Sequence, residues 1–105
     1  MANITRFTSP PISVVVEGVD ITSADVYVTI KQGTSEFDLT GNQLSMTYAD
    51  SNTTITFSLT QEQSGSLTEN PDASIQVNWI TGGVRYATEI VQVDVYENLY
   101  DEVIS

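Results

Sequence analysis

Residues 73–95 read ASIQVNWITGGVRYATEIVQVDV, and the alternation in this stretch decides the fold class. Ile75, Val77 and Trp79 share one parity while Gln76, Asn78 and Ile80 share the other, the period of a strand with one buried face. Gly82 and Gly83 follow, and a pair of glycines supplies the positive φ that both corners of a tight hairpin turn need. The spacing predicts a hairpin at the centre of a β-sheet. The return strand opens with Tyr86, Thr88 and Ile90 on one face, yet Val91, Val93 and Val95 fall on the opposite parity. Adjacent Ile90 and Val91 call for a β-bulge, or for a strand covered on one side early and on the other late. Trp79, alone in mid-strand, is expected in the core between sheets.

Outward from this hairpin the chain repeats the same theme. Residues 25–32 (DVYVTIKQ) alternate cleanly, with Val26, Val28 and Ile30 inward and Tyr27, Thr29 and Lys31 outward. Residues 35–39 return after Gly33-Thr34, residues 43–48 place Leu44, Met46 and Tyr48 on one face, and residues 53–59 do the same with Ile55, Phe57 and Leu59. The apolar run ISVVVE at residues 12–17 reads as a strand too apolar for a bare edge, so at least one face should be covered. Asn70-Pro71-Asp72 reads as a turn into the central hairpin. Thr60 and Gln63 stand at capping-box spacing and predict one helical turn ended by Gly65. Seven strands with short connections predict an all-β fold: an immunoglobulin-like antiparallel β-sandwich, with a small closed or half-open barrel as the alternative. At 105 residues this is one domain, residues 1–105, with an extended N-terminal arm (residues 1–11, ending in Pro10-Pro11) and a short C-terminal tail (residues 98–105).

Composition narrows the function by exclusion. Fourteen acidic residues against three basic ones (Arg6, Lys31, Arg85) give a formal charge of −11, which repels phosphate backbones and anionic membrane surfaces, so neither nucleic acid nor membrane is an expected partner. The opening MANITRFTSPP lacks the basic and apolar regions of a signal peptide, which predicts folding in a cytoplasm. With no Cys and no His, disulfides, thiolate metal sites and the commonest general base are all missing. Ser and Thr are abundant but have no His to activate them. Carboxylate pairs do occur: Glu36 and Asp38 share a strand face, and Asp94 stands three residues from Glu97. In so acidic a chain they read as solvated surface. Asp50-Ser51-Asn52 and Asn70-Pro71-Asp72 carry too few oxygen ligands for calcium and read as turns. No catalytic residue, cofactor or metal ligand is assigned, and the chain is not expected to be an enzyme.

What remains is surface. Tyr96 and Tyr100, near the tail, are the better interface candidates among the tyrosines, since aromatic side chains are enriched in interface cores. Leu99, Val103 and Ile104 lie beyond the last strand, and Ile4 and Phe7 are the apolar anchors of the arm. These seven residues form the predicted contact set, the arm adding to a neighbour's sheet and the tail acting as a hook. An exposed Trp79 beside Tyr86 would instead mark a sugar-binding surface; a buried Trp79 would mark structure.

The segments DVYVTIKQG, FDLTGNQLSMTYAD, TTITFSLTQEQSGSL and IQVNWITGGVRYATEIVQVDVYENLYDEVI, in that order over about residues 25–104, resemble a family of small proteins encoded by phages and prophages. The outline is also similar to the immunoglobulin-like N-terminal domains that attach receptor-binding proteins to a tail baseplate. The resemblance implies a phage virion structural protein in the tail, the baseplate or on the capsid, made in the host bacterial cytoplasm, present as a homo-oligomer or in many copies, with other virion proteins as partners. The alternative is a carbohydrate- or receptor-binding module of a phage or bacterial surface protein. The start, Arg6-Phe7-Thr8-Ser9-Pro10, departs from that family's usual opening strand, and no functional residue carries over.

Overall fold

The computed structural model describes residues 3–68, 72–88, 90–100, 102 and 104. Its strands fall into two sheets. The larger contains β1 (Asn3–Thr5), β9 (Val91–Tyr96), β7 (Ala73–Thr81), β3 (Asp25–Gln32) and β4 (Ser35–Thr40) in that order, with β8 (Val84–Ala87) also paired to β7. The smaller is β2 (Ile12–Glu17), β6 (Asn52–Phe57) and β5 (Ser45–Ala49). In immunoglobulin lettering, β9-β7-β3-β4 take the places of G-F-C-C′ and β2-β6-β5 those of B-E-D. The disulfide and the strand-C tryptophan of antibody domains have no counterpart, because the chain lacks Cys and its one Trp sits on β7.

The central hairpin forms where the glycines place it. Thr81 pairs with Val84 across Gly82 (φ 59°) and Gly83 (φ 77°). Four residues on β7, Asn78 to Ile75, are then matched by five on the return strand, Ala87 to Val91. That one-residue excess is the bulge, and it divides the return strand into β8 and β9. It also puts Tyr86, opposite Trp79, on the same face as Val91, opposite Ile75, although the two differ in parity. Thr88 holds the break: its hydroxyl accepts from the Val77 N–H at 3.1 Å, while its own N–H donates to the Val77 carbonyl at 2.9 Å.

The inward residues named from the alternation form the core. Val26, Val28, Ile30, Ile55, Phe57, Ile75, Val77, Val93 and Val95 are buried between the sheets, and Trp79 is only 8 % exposed. Helix α1 (Gln61–Gly65) closes one end of the sandwich with a reciprocal cap: Thr60 Oγ1 accepts from the Gln63 N–H and Gln63 Oε1 accepts from the Thr60 N–H. Asp50 and Ser51 take positive φ (52° and 67°) in the turn between β5 and β6, which accounts for the calcium-like Asp50-Ser51-Asn52 as a hairpin corner. The other calcium-like segment, Asn70-Pro71-Asp72, lies outside the described residues except for Asp72.

Nine strands are found among the described residues where the alternation indicates seven. The bulge accounts for one. The other is β1, which corrects the reading of residues 1–11 as an extended arm: Asn3–Thr5 runs parallel to β9, and Ile4, opposite Val95, is 4 % exposed. Among the described strands this is also the one departure from an antiparallel pattern. Three residues are too few to show a period, so the strand is invisible to alternation.

Candidate functional site

The predicted contact residues separate into two groups. Ile4 belongs to the domain's own core, and Phe7 is folded back onto it. Phe7 has φ 62° in a turn where the Thr8 hydroxyl donates to the Thr5 carbonyl at 2.6 Å. Its ring lies directly over Gly65, where any β-carbon would collide with it. The Arg6 guanidinium stands 5.2 Å from the same ring and donates to the Gly65 carbonyl at 2.7 Å. Ser64, fully buried, donates from its hydroxyl to the Thr8 carbonyl at 2.8 Å. An arm held this way is not available to add to a neighbour's sheet, which corrects the assignment of Ile4 and Phe7 as outward anchors. The cause is the glycine at the end of α1, whose bare backbone provides the seat for the ring.

The second group is exposed. Tyr96 lies on β9, and Leu99 (94 % exposed), Tyr100 and Ile104 follow it. Val103 lies outside the described residues. The tail carrying these side chains is tied at two points. Asn98 Nδ2 donates to the Arg6 carbonyl at 2.9 Å, and the Gln61 amide both donates to the Ile104 carbonyl (2.9 Å) and accepts from its N–H (2.7 Å). Leu99 and Tyr100 therefore lie between two anchored residues, Asn98 and Ile104, with their own side chains exposed.

A second surface is the outer face of the larger sheet. A recess of about 620 Å³ opens there, lined among others by Tyr27, Thr29, Asp38, Asn78, Ile80 and Arg85. Cross-strand pairing brings them together: Tyr27 opposes Asn78, Thr29 opposes Asp38 and Ile80 opposes Arg85. Arg85 donates from Nε and Nη2 to Asn78 Oδ1 at 3.3 and 3.2 Å, and Thr29 Oγ1 donates to Asp38 at 2.7 Å. The outward direction of Tyr27 is legible from parity, but its meeting with Arg85 needs the strand order.

Trp79 does not offer a sugar platform, since its ring is buried and stacks on Tyr86 at 5.8 Å with an interplanar angle of 21°. Glu36 and Asp38 face Lys31 and Thr29 across the strand pair, in ordinary surface rungs. Among the described residues no group of three Asp, Glu, Cys or His converges as a metal site would require. The Asp20 carboxyl is held below its usual range by the Thr22 hydroxyl and then by the Thr22 N–H, in the turn before β3. No helix among the described residues is long and apolar enough to cross a membrane. No protein-family model and no curated protein matches the chain.

Proposed function

We propose that the chain is a non-enzymatic structural protein of a phage virion, assembling through protein–protein contacts in the tail or baseplate or on the capsid. The likeness of its segments to small phage-encoded proteins supplies the class. The observation that carries the mode of action is the tail, where Leu99, Tyr100 and Ile104 stand exposed on a segment already anchored through Asn98 and Gln61. A held backbone has less entropy left to lose on docking, so its apolar groups contribute more fully to association. Contacts of this kind need no opposite charge, which suits copies that each carry −11.

The test is a Leu99→Ser, Tyr100→Ser double variant expressed during phage production. Its circular dichroism should match the wild type, and mass spectrometry of purified particles should find it depleted relative to the wild type. Equal incorporation would overturn the reading. A carbohydrate- or receptor-binding module is the second reading, favoured by the recess that combines the Tyr27 ring with the polar groups of Asn78, Asp38 and Arg85; glycan-array binding without particle incorporation would support it over the first.

A further inference from the structure

The outer edge of β2 is the unexpected feature of the smaller sheet. Its sequence, ISVVVE, is that of a covered strand, yet among the described residues it pairs only with β6. Edge strands are commonly protected by Lys, Pro, bulges or shortness. β4 carries Glu36 and Asp38, and β1 is three residues long. β5 presents only Ser45, Thr47 and Ala49 on its outer face. β2 has six residues in unbroken register with β6, no Lys, no Pro and one charge, Glu17. Val15, at its middle, is 52 % exposed, and a groove of about 350 Å³ beside it is lined by Val14, Val16, Trp79 and Val91 together with Glu17 and Thr88.

We infer that β2 is a self-association edge, whose occupant is the β2 strand of a second copy, paired antiparallel about a two-fold axis at Val15. The strand is self-complementary in that register. Val15 then faces Val15 of the other copy, covering the exposed side chains, while Val14 and Val16 face each other on the inner side and lengthen the wall over the groove. Glu17 falls opposite Ser13 of the second copy. Ser13 Oγ lies 3.0 Å from Thr56 Oγ1, and with Thr56 as donor the Ser13 proton is left for that carboxylate. The two Glu17 carboxylates are offset by four residues, about 13 Å along the strand, which exceeds the roughly 8 Å screening length at physiological salt. The remaining opposition is the long-range repulsion of two −11 chains, so salt should strengthen this dimer where it would weaken one built on ion pairs.

Sedimentation velocity over a concentration series, in low and in high NaCl, tests the inference. The wild type should dimerise reversibly, more tightly in high salt. Val15→Lys sets two ammonium groups face to face without entering the core and should raise the dissociation constant about tenfold or more. Ser13→Lys sets a cation against the opposing Glu17 and should lower it. A wild type that stays monomeric throughout, or a Val15→Lys protein that associates as the wild type does, would overturn the proposal. Dimerisation of the Leu99→Ser, Tyr100→Ser protein should be unchanged, so failure here and failure of the virion reading are told apart.

Discussion

Thr53 shows what a single side chain can decide in this sandwich. It is fully buried, and its hydroxyl accepts from the Ile21 N–H at 3.1 Å while donating to the Val19 carbonyl at 2.7 Å. Two backbone groups of the connection between β2 and β3 are thereby satisfied, and Ile21 is set into the core. Thr53→Val keeps the shape and removes both bonds. It should cost about 1–3 kcal/mol in urea unfolding, whereas Thr54→Val, on the outer face, should stay within about 0.5 kcal/mol; equal effects would show that the hydroxyl is not what holds the loop. Parity marks Thr53 as inward, but nothing in the sequence names Val19 and Ile21 as its partners, because they are distant along the chain. The same limit applies to Gln61, whose amide binds the backbone of Ile104, and to Gln32, whose amide binds the backbone of Thr68 at 2.7 and 2.8 Å. A glutamine that acts as one more rung of backbone cannot be told from a solvated one by its neighbours in sequence.

Among the elements, the central hairpin is the most completely written into local sequence. Alternation specifies the inward face of β7 and the Gly pair specifies the turn, while the jump in parity between Tyr86 and Val91 leaves two readings, of which the register selects the bulge. Replacing both Gly82 and Gly83 with Val forces β-branched residues into left-handed φ at about 1–2 kcal/mol each. The double variant should lose about 2–4 kcal/mol on that basis, read as a lowered Tm; an unchanged Tm would mean that the turn conformation is not required. β1 is the opposite case. Its three residues carry no period, and its pairing with β9 exists because the Arg6 N–H donates to the Tyr96 carbonyl and Phe7 finds its seat at Gly65. Both contacts join segments far apart along the chain, so the reading of this stretch as an arm rests on local sequence that contains none of its determinants.

At the scale of the whole molecule the charge is one-sided, −11 in formal count. A chain with 14 acidic and three basic residues repels itself when compact, so added NaCl should raise Tm through screening before any specific salt effect appears. Thermal unfolding followed by circular dichroism across a salt series checks this; a falling Tm would point to ion pairs as net stabilisers. Local spacing and composition carry the all-β fold class, the buried face of each long strand, the central hairpin, the cap of α1 and the acidic surface, since each rests on a few neighbouring residues or on residue counts; the choice of a bulge in the return strand came from the register. Tertiary structure alone decided that β1 joins the larger sheet, that Ile4 and Phe7 turn inward, that Tyr27, Asn78 and Arg85 share one recess, and that apolar β2 stands at an edge. Strand order and the meeting of the two chain ends depend on contacts between residues far apart in sequence, and no periodicity within a strand encodes which other strand lies beside it.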